Sequence, residues 1–146
     1  MPVSPDAVAV VRDWIQKAEN DLTTATHTLK LRKRCPTDTV CFHAQQCVEK
    51  YLKAMLTLSG IDFPRTHDLG VLILRCSKAM RPDLSPEELD RMTEYATTSR
   101  YPGDYEPISL AEARRTVSAA RRARQELRRQ MPRIVLRPGP TGVSPE

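Results

Sequence analysis

Proline placement constrains this chain more than any other feature. Its 146 residues include 12 prolines, which leave proline-free windows at 6–35, 37–63, 65–81, 87–101 and 108–131. Proline breaks a helix interior because it lacks the amide proton and its ring collides with the preceding turn, yet it suits the first helical position. Five windows of helical length between proline-marked turns predict about five helices. With only 5 glycines and 5% aromatic residues, the chain lacks the Gly-rich turns and β-branched runs that a sandwich or barrel needs.

Every window carries an apolar stripe at steps of three and four, the spacing that places side chains on one helix face. The first has Ala7, Val11, Trp14, Ala18, Leu22, Ala25 and Leu29. The second is apolar over more than half its girth, with Val48, Leu52, Met55 and Leu56 on one side and Tyr51, Ala54 and Leu58 adjoining, so it belongs at the centre. Gly60 suits its C-terminal cap. The third has Leu69, Leu72, Ile73, Cys76 and Met80, with Thr66 as the expected N-cap. The fourth and fifth open on the capping boxes Ser85–Glu88 and Ser109–Glu112. Leu110, Ala113, Val117, Ala120, Leu127 and Met131 form the fifth seam, which Arg124 interrupts. The short loops favour antiparallel neighbours, so the expected fold is an all-α, up-and-down bundle. It occupies 1–131, and the Pro- and Gly-containing stretch 132–146 reads as a disordered tail.

No apolar run approaches the ~18 residues of a membrane span. The N-terminus shows no signal-peptide pattern, and Cys35, Cys41, Cys47 and Cys76 lack the spacing of a disulfide framework. These features point to the cytoplasm. His43 and Cys47 share a helix face, but two ligands do not make a metal centre, and neither metal nor cofactor is expected.

Charge is unevenly spread. Nine arginines face two glutamates between 109 and 137, which leaves the rest of the chain at −2 when the whole carries +5. The basic face Arg121, Arg122, Arg128 and Arg129 suits RNA phosphates or an acidic protein surface. A solvated outer helix face accounts for the same pattern. On the second window Lys50 and Lys53 are candidates for a nucleotide or RNA groove. The alternative is ion pairing, in which Glu49 and Lys53 form an exposed i,i+4 pair worth about 0.2–0.5 kcal/mol. Asp21 lies near the apolar face of the first window, placed to hold a neighbouring helix.

The run from Phe42 to Leu56 (FHAQQCVEKYLKAML) resembles the core helix of the HEPN family, nucleotide-associated helical domains. Trp14, Ala18-Glu19, Asp21-Leu22 and Ala25 are similar to its first helix, and Phe63-Pro64-Arg65-Thr66-His67-Asp68-Leu69 to the start of its third. Ser99-Arg100-Tyr101-Pro102 resembles the Arg-Tyr-Pro element that follows the fourth helix in one branch. The resemblance implies a helical bundle, commonly a homodimer. Small bacterial members are encoded beside a minimal nucleotidyltransferase, as the toxin-like half of a toxin–antitoxin pair. Active members are metal-independent ribonucleases that bring an Arg and a His, separated by four to six residues, to the dimer interface.

This chain departs from that motif. No Arg stands five to seven positions before His27, His43 or His67, and Tyr105 occupies the histidine place after Arg100. Attack by a ribose 2′-OH is helped by a base that titrates near neutrality and by a cation on the phosphorane. Tyrosine, with a pKa of about 10, serves poorly as that base. The expectation is an interaction module without standard ribonuclease activity. In it Arg100 would grip phosphate while Tyr101 and Tyr105 stack on a base. The resemblance also offers Tyr105 as an acceptor for modification by the partner transferase. Two alternatives stand beside this reading. Arg100 could cap the fourth helix, or Arg100 with Tyr105 or His67 could form a noncanonical ribonuclease centre. The turn places His67 to donate to a backbone carbonyl.

Overall fold

Helix α1 (Pro5–Leu29) starts where Ser4 caps it by accepting a hydrogen bond from the amide of Ala7, with Pro5 in the first turn. The structure, a computed structural model, describes residues 3–97, 103 and 106–138. Among these, five further helices follow. They are α2 (Thr37–Leu58), α3 (Leu69–Arg75), α4 (Pro86–Thr97), α5 (Leu110–Arg129) and α6 (Arg133–Leu136), with no strand. The chain is an all-α helical bundle.

α2 is the central element. Val48, Tyr51, Leu52, Ala54 and Leu56 are wholly buried, and α2 packs on α1, α3, α4 and α5. Gly60 ends it in the left-handed region at φ 70°, and the Ile61 amide reaches back to the Leu56 carbonyl at 2.9 Å. Glycine carries that conformation without steric cost. α5 lays Ala113, Val117, Ala120 and Leu127 against α2 and α1.

Several boundaries differ from the sequence expectation. α1 stops at Leu29, and the chain turns through a 3₁₀ segment at Arg32–Arg34 that opens on a positive φ of 53° at Arg32. α3 is a short helix: Cys76 is extended, and Arg81 Nε donates to its carbonyl at 3.2 Å. Its N-cap is Asp68 rather than Thr66. The Asp68 carboxylate accepts from the Val71 amide, while the Thr66 hydroxyl accepts from the Asp68 amide one step earlier. Ser85 and Glu88 complete their capping box in both directions.

The start of the expected tail is also corrected. Ile134, Val135 and Leu136 lie between Pro132 and Pro138, a short apolar triplet that the proline count overshadows. It forms α6, packed on α1, with Val135 fully buried and Arg12 Nε donating to the Ile134 carbonyl at 2.8 Å.

Candidate functional site

Arg100, Tyr101 and Tyr105 lie outside the described residues, but both flanks of their corner are described. Tyr95, near the end of α4, donates its hydroxyl to Glu112 Oε1 at 2.6 Å, and Arg91 reaches the same oxygen at 3.1 Å. Ser109 caps α5 by accepting from the Glu112 amide at 3.0 Å. The Glu112 carboxylate therefore faces α4 rather than closing the second expected capping box. Burial, together with the bond to Glu112, raises the Tyr95 phenol above its usual range. The Thr37 hydroxyl, at the start of α2, donates to the Ile108 carbonyl at 2.7 Å. Gly103 takes a φ of 89°, in the left-handed region that glycine favours. Between α4 and α5 lies a cavity of about 270 Å³ lined by Glu88, Arg91, Glu112, Arg115 and Thr116.

The polar face of α2 carries two similar clusters, in which one carboxylate bridges a histidine and a lysine. Asp21 of α1 accepts from Lys50 and holds His43 Nδ1 at 2.7 Å. This is the interhelical tie that its position beside the apolar stripe predicts. Glu49 holds His67 Nδ1 at 2.8 Å and Lys53 Nζ at 3.1 Å, and the Gln45 and Gln46 amides donate to Oε1. Lys53 also stands 5.5 Å over the ring of Trp14.

Lys50 and Lys53 follow the ion-pairing alternative, committed to Asp21 and Glu49. The Glu49–Lys53 pair is buried rather than exposed, with side chains 3% and 9% accessible. The cause is that Trp14 and the loop before α3 cover this face.

His67 bonds the Glu49 carboxylate rather than a backbone carbonyl, while its own carbonyl accepts from the Gln45 amide at 3.0 Å. A carboxylate at Nδ1 favours the tautomer that leaves Nε2 free to take a proton. The His67 side chain is 58% accessible. His43 sits deeper, at 28%. His27 is exposed on α1. Cys47 is fully buried, and burial raises its thiol far above the ordinary value. Among the described residues no group of three or more His, Cys, Asp or Glu side chains could hold a metal ion.

The arginines of α5 divide between two environments. Arg124, which breaks the apolar seam, grips Glu19 of α1 with two hydrogen bonds of 2.8 and 2.6 Å. Arg128 turns inward as well, donating to the Tyr51 hydroxyl at 3.2 Å and lying 3.7 Å from Glu19. Its place on the expected basic face is corrected accordingly. Burial pushes the Glu19 carboxyl up, but hydrogen bonds from Arg124 and Tyr51 and the Arg124 and Arg128 charges outweigh it. The carboxyl is held below its ordinary value. Arg121, Arg122 and Arg129 do face outward, with Arg121 on Thr26 and Arg122 on Glu88. Sequence reasoning missed Glu19 and Glu112 as partners. The signal was present for Glu19, since an arginine inside an apolar seam requires a buried acceptor.

The HEPN domain family matches residues 11–130. The chain belongs to the HEPN family. A Methanocaldococcus jannaschii protein named "Putative toxin MJ1304" is 34% identical over 100 residues, and the match spans 63% of this chain and 63% of that relative. The solved structure of ST0689, described as an archaeal HEPN homologue, superposes with a TM-score of 0.62 at 26% identity over 82% of this chain and 96% of its own. TT1696 from Thermus thermophilus shares the fold at a TM-score of 0.67 and 22% identity, over 83% of this chain and 98% of its own. The HEPN match covers all six histidine, carboxylate and lysine partners on the α2 face and ends beside Met131, before α6. No helix among the described residues is long and apolar enough to cross a membrane.

Proposed function

We propose that this HEPN domain is the toxin-like half of a two-protein system. It forms a homodimer, docks a minimal nucleotidyltransferase, and holds nucleotide or RNA phosphate at the Arg100–Tyr105 corner without standard HEPN cleavage. The observation that supports this reading is the absence of an Arg–His pair at motif spacing, with Tyr105 in the histidine place. The placement of His43 agrees with it: the ring is tied through Nδ1 to Asp21 and mostly covered. The relative named as a toxin supports the toxin-like half of the proposal. Arg100 supplies a bidentate fork for phosphate, and the two tyrosines supply stacking faces. The test is to purify the full chain alone and together with a co-expressed minimal nucleotidyltransferase. Co-elution, with RNA or nucleotide retention that Arg100→Ala abolishes, is expected. Separate elution without retention at moderate salt overturns the proposal.

One observation favours a second reading. His67 combines a carboxylate-anchored Nδ1 with an accessible side chain, an arrangement that suits a general base. Paired with Arg100 from a second copy, it would take the 2′-OH proton while the arginine stabilises the phosphorane, releasing a cyclic phosphate and a 5′-hydroxyl. Growth arrest on expression, relieved by both Arg100→Ala and His67→Ala, would favour this ribonuclease.

A further inference from the structure

A second cleft lies away from the corner, where α1, α5 and α6 meet. It has a volume of about 180 Å³, and Arg12, Gln16, Glu19, Arg128 and Arg137 contribute its polar lining. Three arginines from three separate segments line it together with one glutamate. Glu19 is bonded through both oxygens to Arg124 and stands 3.7 Å from Arg128, so a single carboxylate faces four guanidinium groups. The cleft therefore carries an excess of positive charge.

Its donors are also available. Arg12 spends Nε on the Ile134 carbonyl, which leaves both terminal nitrogens. Arg128 gives one nitrogen to Tyr51 and keeps its other donors. Arg137 is exposed just after α6. α6 fixes the geometry, since buried Val135 holds the segment that carries Arg137 against α1. The lining contains no aromatic ring to stack on a base, and the volume suits a phosphate group rather than a whole nucleotide. Guanidinium forks match phosphate oxygens bidentately.

From this arrangement we infer that the α1–α5–α6 cleft is a binding site for a phosphate dianion, separate from the Arg100 corner. The source is either free phosphate or the terminal phosphate of a nucleotide, and the two share the same contacts.

The experiment titrates the full chain with inorganic phosphate, adenosine 5′-monophosphate and adenosine, following heat and the NMR signals of the Gln16 side-chain amide and Arg12 Nε–H. Saturable shifts at both groups are expected with the two phosphates, and none with adenosine. Tighter binding of the monophosphate assigns a nucleotide source, and equal binding assigns free phosphate. Arg137→Gln, at the exposed rim of the cleft, should weaken binding about tenfold. Arg122→Gln should leave it unchanged. Unshifted Gln16 and Arg12 signals, equal binding of adenosine, or an unaffected Arg137→Gln would overturn the inference. Failure of partner docking or RNA retention would leave these readouts untouched.

Discussion

α2 and α5 are both rich in charge, and they use it differently. On α2 the charged side chains are drawn inside: Glu49 and Lys53 are buried among Gln45, Gln46 and Trp14, and Lys50 is pinned to Asp21. On α5 the charges divide. Arg124 and Arg128 lock the helix to Glu19 and Tyr51, while Arg121, Arg122 and Arg129 face outward. The difference follows from position. α2 is surrounded by α1, α3, α4 and α5, so even its polar face is covered. α5 packs along one seam and leaves its other side to solvent. Charge on a helix therefore says little about binding until its cover is known.

The comparison can be broken most forcefully at Glu49. Glu49→Ala leaves Lys53 buried without its partner and should cost about 3–5 kcal/mol in urea unfolding. Replacing Glu49 and Lys53 together by Leu and Met should recover most of that loss. A cost below about 1 kcal/mol for the single change would mean the face is more open than described. On α5, truncating the seam by Leu127→Ala should cost about 2–5 kcal/mol, since Leu127 is wholly buried.

The lock between the two regions is a smaller effect with a distinctive pH signature. Arg124→Ala removes two charged hydrogen bonds and should cost about 1.5–3 kcal/mol. Glu19 is held below its ordinary carboxylate value of 4.5 in the folded state. The unfolded chain therefore binds that proton first, and the Glu19 contribution is complete above the ordinary value and lost as pH falls through the folded one. Unfolding midpoints from pH 7 down to 3 should drop more steeply for the native chain than for Glu19→Gln. Smallest of all, Arg122→Ala breaks an exposed pair with Glu88 and should change stability by less than about 1 kcal/mol.

Much of this fold was legible in the sequence because proline and apolar period act locally. The windows located the five longer helices, and the stripes named Val11, Ala18, Leu52, Val117 and Leu127 as core, all of them buried. What stayed hidden depended on tertiary cover. Nothing local distinguishes Lys53 under Trp14 from a surface lysine, or Arg128 on Tyr51 from Arg129 in solvent. α6 was obscured because three apolar residues between prolines are too few for a period to show. Of the candidate site, the missing Arg–His spacing was readable directly. The Glu49–His67 contact joins two segments that no helical spacing connects.

The central claim is that this HEPN domain recruits without cutting, and one measurement meets it directly. End-labelled RNA is incubated with the purified native chain in chelator at neutral pH, then resolved on native and denaturing gels. The account predicts a retarded complex and full-length RNA, with retardation lost in Arg100→Ala. Fragments ending in cyclic phosphate, produced by the native chain and absent with Arg100→Ala, would contradict it.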